Sequence, residues 1–179
     1  SAAIVVADHH SGKILASVGS AGLFEEARDG HVDMTRALRS PGSTLKPLIY
    51  GLAFEQGLAH PESLIEDRPT GFAGYAPNNF DGFHRGTVTI REALTQSLNV
   101  PAVVVLDAVG PARLVARLKR AATAPALPDL TAPGLAIGLG GVGMSLRDLV
   151  ALYGAFARGG APMTLRDGTA RAEAPPALA

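Results

Sequence analysis

The sequence predicts an α/β fold in which a partial antiparallel sheet packs on helices. Three observations carry that reading. Two short apolar runs, residues 3–7 and 13–18, flank the turn-forming stretch Asp8-His9-His10-Ser11-Gly12 and read as a hairpin. Downstream, several apolar segments begin at polar caps and stop at glycine or proline, as helices do. With 47% apolar residues over 179 positions, the chain can bury a real core.

In chain order, residues 19–42 are Gly-rich and charged and read as loop. The segment from Leu45 to Leu58 reads as helix, weakened at Gly57 and stopped by His60-Pro61. Residues 60–86 hold Pro61, Pro69 and Pro77 with Gly71, Gly74, Gly82 and Gly86, and read as one long loop. Thr89-Ile90-Arg91-Glu92 is a capping box that opens a helix over about 90–97. A break is expected at Val100-Pro101, because the residue before proline disfavours helix. Pro101 then suits the first turn of a further helix ended by Gly110, and Pro111 opens another ending in Lys119 and Arg120. Residues 121–134 read as an Ala/Pro loop. Ser145 caps an amphipathic helix with Leu146, Leu149, Val150, Tyr153 and Ala157 on one face, ended at Gly159-Gly160. Arg166-Asp167-Gly168-Thr169 suggests a last hairpin, and an Ala/Pro tail without expected order follows Glu173.

Composition narrows the function classes. Lys+Arg and Asp+Glu both number 16, which offers no charge pattern for nucleic acid or an anionic membrane. There is no cysteine, so disulfides, thiolate nucleophiles and cysteine-ligated metals are excluded. The five histidines show no metal spacing, and no metal or cofactor is expected. No apolar run approaches the ~20 residues of a membrane span, and no leader pattern opens the chain, which reads as a piece with targeting elements upstream. Gly138-Leu139-Gly140-Gly141-Val142-Gly143 matches a dinucleotide fingerprint by letters alone. It lacks a strand-helix-strand frame and an acidic residue ~20 positions on, so a tight turn is the expectation.

The chemistry concentrates in Arg39-Ser40-Pro41-Gly42-Ser43-Thr44-Leu45-Lys46-Pro47. On a helix, i and i+3 share a side, so Ser43 and Lys46 can meet. A serine hydroxyl needs a base to become a nucleophile. A lysine serves only where burial or a cationic neighbour lowers its pKa. The free N–H groups of a helix start, that of Ser43 included, suit a developing oxyanion. Gly42 permits an unusual angle before the serine, and Pro47 cannot donate to the Ser43 carbonyl. Spacing alone favours a serine cap followed by a solvated lysine. A second element, Ser97-Leu98-Asn99, lies at the end of the Thr89 helix. Asn78-Asn79-Phe80-Asp81-Gly82 reads equally as a substrate-facing turn or as Asx-turn chemistry. His84, in the loop before that helix, reads as a surface histidine.

Taken together, four blocks resemble the serine penicillin-binding transpeptidases of bacterial cell-wall synthesis, of the bifunctional class A type. They are AIVVADHHSGKILASVGS, SPGSTLKPLIYGLAFEQG, YAPNNFDGFHRGTVTIREALTQSLNVPAVVVLDAVG and IGLGGVGMSLRDLVALYGAFARGG, in the family's order over residues 2–162. The resemblance implies a β-lactamase/transpeptidase-like α/β fold. It implies that Ser43 is the acyl nucleophile, Lys46 its proton acceptor, Ser97 a proton relay to the leaving amine and Asn99 a hydrogen-bonding group for the stem-peptide amide. It implies D-Ala-D-Ala stem peptides of peptidoglycan as substrate, β-lactams as covalent inhibitors, other cell-wall proteins as further partners, and a site outside the cytoplasmic membrane with the anchor elsewhere. The family's third motif, Lys-[Ser/Thr]-Gly, is not found; Arg166-Asp167-Gly168-Thr169 has neither its order nor its strand setting. The chain therefore reads over 1–179 as the N-terminal part of a transpeptidase domain: hairpin 1–20, nucleophile helix 43–58, helical part 87–160, and hairpin and tail 163–179. Weak or no transpeptidation is expected of it alone. Two other readings stay open: a β-lactam-hydrolysing or sensing relative, and a non-catalytic module that binds peptidoglycan or a partner.

Overall fold

The structure is a computed structural model and describes residues 2–22, 32–72, 74–127 and 133–168. It divides into two compact units. One comprises residues 1–38, 119–124 and 144–179; the other comprises 39–118 and 125–143. The tail expected after Glu173, and Thr169 of the last expected hairpin, lie outside the described residues.

In the first unit, β1 (Ile4–Ala7) pairs antiparallel with β2 (Ile14–Val18), the hairpin that the apolar runs predict. The Asp8 carboxylate closes the turn. It accepts from the N–H groups of His10 and Ser11, both at 3.1 Å, and from the Ser11 hydroxyl. Those bonds favour the ionised form and lower the Asp8 pKa to about 2. Gly12 leaves the turn at φ 73°, and a Cβ there would stand 2.1 Å from the Thr164 carbonyl oxygen, so only glycine fits. Arg166 forms a parallel bridge with Lys13, in place of the start of a separate hairpin. The amphipathic helix α5 (Leu146–Ala157) starts at a reciprocal capping box between Ser145 and Asp148.

The second unit holds the polar cluster. A 3₁₀ turn, Gly42–Leu45, runs straight into α1 (Lys46–Glu55), so the helix expected from Leu45 to Leu58 starts as a tighter coil and stops earlier. The long loop expected over 60–86 contains a strand. β3 (Leu64–Asp67) pairs antiparallel with β4 (Gly86–Thr89) in a second two-stranded sheet. Four residues among prolines and glycines are too few for periodicity to reveal; Leu64 and Glu66 are exposed while Asp67 is buried. Thr89 leaves β4 and caps α2 (Ile90–Thr95) through the expected box with Glu92.

The break before the next helix comes earlier than Val100-Pro101. Residues 96–98 form it, and α3 (Asn99–Val109) already contains Val100. Pro101 sits in the first turn, where a missing N–H costs no helical bond. Gly110, at φ 92°, then turns the chain by 86° into α4 (Pro111–Arg120). The core of this unit is formed by Leu45, Ile49, Tyr50, Val100, Val103 and Leu106, all fully buried. Burying the aliphatic side chains among them contributes about 2 kcal/mol each, which fixes α1 against α3. No helix among the described residues is by itself long and apolar enough to cross a membrane.

Candidate active site

Ser43 sits in the 3₁₀ turn and is exposed. Gly42 enters that turn at φ 54°, and the Thr44 hydroxyl donates to the Pro41 carbonyl at 2.7 Å. Pro47 has no N–H, so the Ser43 carbonyl accepts from the N–H of Lys46, one residue closer than in an α-helix. Three residues along, Lys46 is only 1% exposed. Its amine does not hydrogen-bond the Ser43 hydroxyl among the described residues. It donates to the Ser97 carbonyl at 2.5 Å and to Asn99 Oδ1 at 2.7 Å, with the Ser97 hydroxyl at 3.1 Å. Ser43 and Lys46 thus share one turn, and Lys46 is joined to both polar members of Ser97-Leu98-Asn99.

Two of these three partners can only accept; the hydroxyl of Ser97 can accept or donate. A charged ammonium fills all three positions with N–H bonds. A neutral amine keeps two and turns a lone pair to a hydroxyl that rotates to donate. The pocket therefore accommodates both protonation states of Lys46 by rotation of one O–H. Burial disfavours the charged state and lowers the Lys46 pKa to about 8 from its ordinary 10.5. At neutral pH about a tenth of the amines are then neutral, against fewer than about one in a thousand for a solvated lysine.

The positions of Ser97 and Asn99 come from the short break between α2 and α3. Ser97 is one of two described non-glycine residues with positive φ, at 54°. That conformation costs about 1–2 kcal/mol. The turn that contains it brings the Ser97 carbonyl and hydroxyl to the same amine. Asn99 opens α3 and is oriented from both ends: Oδ1 receives the Lys46 amine, and Nδ2 donates to the Asn78 carbonyl at 2.7 Å.

The sequence did not reveal two residues behind this cluster. In the 78–82 stretch the expected Asx turn is made by Asp81, whose Oδ1 accepts from the Phe83 N–H at 3.0 Å, while Asn79 is 6% exposed and takes no part in it. Asn79 Oδ1 accepts from the N–H groups of Asn99 at 2.8 Å and Val100 at 3.4 Å. Its Nδ2 donates to both oxygens of fully buried Asp67 and to the Phe83 carbonyl, all at 2.9 Å. His84 is half-buried with Nε2 enclosed, in contrast to the surface histidine expected.

The glycine-rich stretch that imitated a dinucleotide fingerprint is a packing device. A 3₁₀ turn, Leu135–Leu139, carries it, and Gly140 ends that turn at φ 97°. A Cβ on Gly140 would lie 2.1 Å from Ser40 Oγ and 2.7 Å from the Gly42 nitrogen. One on Gly138 would lie 2.7 Å from Leu106 Cδ2 and 3.3 Å from Ile49 Cδ1. The glycines let this turn lie directly on the chain that leads into Ser43. Among the described residues no group of three or more His, Asp and Glu side chains converges to hold a metal.

The family model described as the penicillin binding protein transpeptidase domain matches residues 2–124. Penicillin-binding protein 1C of Escherichia coli is 49% identical over 158 residues, covering 88% of this chain and 20% of that protein. Penicillin-binding protein 1F of Bacillus subtilis is 39% identical over 124 residues, covering 68% of this chain and 17% of that protein. The chain therefore spans about a fifth of the length of the curated relatives it matches. Among solved structures, penicillin-binding protein PonA1 from Mycobacterium tuberculosis superposes with a TM-score of 0.76 at 24% identity, over 89% of this chain and 44% of that one. Penicillin-binding protein 1A from Haemophilus influenzae gives 0.73 at 24% identity, over 86% and 23%. The α/β fold expected from the resemblance is the fold observed. The chain belongs to the penicillin-binding protein transpeptidase family.

Proposed function

We propose that the protein containing this chain is a peptidoglycan D,D-transpeptidase, working through an acyl-serine at Ser43 on the extracytoplasmic face of the membrane. The observation that carries the reading is the Lys46 amine: buried, lowered to a pKa of about 8, and bonded to Ser97 and Asn99 beside an exposed serine on its own turn. Ser43 Oγ attacks the carbonyl of the penultimate D-Ala as its proton passes to the neutral Lys46 amine. The C–N bond to the terminal D-Ala breaks. The departing nitrogen takes a proton from the Ser97 hydroxyl, which Lys46 replaces. Asn99 keeps one Nδ2 proton beyond its bond to Asn78 and offers it to the stem-peptide backbone. An amine from a neighbouring stem peptide then attacks the ester, forming the cross-link and returning the proton to Ser43. The Ser43 N–H supplies one oxyanion donor.

A β-lactam enters the same sequence, its ring amide standing for the scissile bond; the M. tuberculosis PonA1 protein has been crystallised in complex with penicillin V. The expected partners are stem peptides and β-lactams. The Lys-[Ser/Thr]-Gly strand of the family supplies a cation and an oxyanion donor, and loss of one such donor costs about 3 kcal/mol of barrier. The residues 1–179 alone are therefore expected to label weakly.

Incubating the intact protein with a fluorescent penicillin, digesting it and mapping the adduct tests the assignment. The adduct is expected on the peptide carrying Ser43 and should vanish in Ser43→Ala. A modification elsewhere, or one that survives that substitution, rejects the role of Ser43. Robust labelling of residues 1–179 alone contradicts the need for the further strand.

A further inference from the structure

The proposed chemistry assigns nothing to Asn79 and Asp67, yet both are buried: Asn79 hydrogen-bonds Asn99, which receives Lys46, and Asp67 hydrogen-bonds Asn79. The N-cap of α3 is Leu98, which has no side chain able to cap. Asn79 fills that place from 20 positions upstream: Oδ1 accepts from the N–H of Asn99, and more distantly from that of Val100. The adjoining Asn78 carbonyl takes the Asn99 side-chain amide. Residues 78 and 79 therefore grip Asn99 at backbone and side chain together, one residue from the amine of Lys46.

The sense of the Asn79 amide is dictated from its far end. Nδ2 faces only acceptors, the two Asp67 oxygens and the Phe83 carbonyl; Oδ1 faces only donors. A flipped amide would set oxygen against oxygen and N–H against N–H. Asp67 is itself held at the end of β3, where Oδ2 accepts the Arg85 N–H at 2.7 Å. Tyr50 of α1 lies within the field of this carboxylate, and burial together with that charge raises its phenol pKa, keeping it neutral.

We propose that Asn79, locked by Asp67, is a positioning residue for acyl transfer: it sets Asn99, and through Asn99 the Lys46 amine, relative to Ser43. The proposal rests on the reading of Ser43 as the nucleophile. A purely structural role would lower the folded fraction and leave the rate per folded molecule unchanged. A positioning role lowers the chemical step, since Lys46 must meet the serine proton within a few tenths of an ångström.

The test measures acylation of the intact protein by a fluorescent penicillin over a range of concentrations. This separates the constant for the reversible complex from the rate of acylation, with folding followed in parallel by melting. Asn79→Asp places two carboxylates together, and Asp67→Asn turns one of the two oxygens that orient the amide into a donor. The swap Asp67→Asn/Asn79→Asp restores a donor and an acceptor between the two positions, while its carboxylate at 79 faces the Phe83 carbonyl. Each single variant is expected to lower the acylation rate per folded molecule by about tenfold or more, with the reversible constant held within about threefold. The swap is expected to acylate faster than either single variant, without the bond to the Phe83 carbonyl. Folded single variants that acylate at the wild-type rate overturn the proposal, as does a swap no faster than the singles. Where a single variant fails to fold, the swap alone decides: one that folds and acylates within about tenfold of wild type supports the proposal, and one slower than that, or unfolded, overturns it. If wild type itself carries no adduct at Ser43, it is the nucleophile assignment that fails, and this proposal with it.

Discussion

Lys46 is where burial and chemistry conflict. A side chain 1% exposed with a pKa lowered to about 8 binds fewer protons folded than unfolded between that pH and 10.5. Stability therefore rises with pH across that window and lacks this contribution below it. The shift corresponds to about 3 kcal/mol when complete. Lys46→Met removes the titration. Melting of the intact protein's transpeptidase domain, followed as pH rises from about 8 to about 10.5, should show wild type gaining on the variant by roughly that amount. Parallel curves would mean that the amine is solvated in the folded state. Spacing made Ser43 and Lys46 visible in the sequence, but could not tell a solvated lysine from a buried one. The bonds that distinguish them run to residues 97 and 99, which no local pattern ties to position 46.

At the scale of elements, local chemistry was legible and long-range pairing was not. The Thr89–Glu92 box starts α2 and the Ser145 cap starts α5, because each is satisfied within three residues. Gly110 ends α3 for the same kind of reason: its φ of 92° suits a residue without Cβ. By contrast, β3 is held by β4 across a stretch of turn formers, and Asp67 and Asn79 meet 12 positions apart with no periodicity to announce it. The glycine stretch after Leu135 shows the same limit. Its letters suggest a phosphate loop, while its contacts make it the floor under Ser40 and Gly42. Gly140→Ala, which combines a positive φ with a 2.1 Å collision, should displace the turn that carries Ser43. Acylation of the intact protein is expected to fall by about tenfold or more while the other β-lactam-independent properties of its fold persist. Gly159→Ala, also at positive φ but with open space around it, controls for strain alone. Equal losses in both variants would remove the special role of Gly140.

Across the whole molecule, every residue of the polar cluster belongs to the unit formed by 39–118 and 125–143. Ser43 comes from the 3₁₀ turn that leads into α1 and Lys46 from the start of α1, Ser97 from the break between α2 and α3 and Asn99 from the start of α3, and Asp67 and Asn79 from the strand and loop behind them. No stretch of composition separates this cluster from an ordinary helical core; net charge and histidine spacing only excluded other functions. The sequence blocks taken in order carried the family reading, and the match over residues 2–124 together with 49% identity over 158 residues to a relative bears it out.

Whether the buried Lys46 amine is the base is read from the rate of β-lactam acylation at Ser43 in the intact protein, measured against pH under conditions where it reports free enzyme and free ligand. If the buried Lys46 amine takes the serine proton, the rate rises with a midpoint at about pH 8. A rate that stays level through that region, or that rises only near the 10.5 of an ordinary lysine, would contradict it.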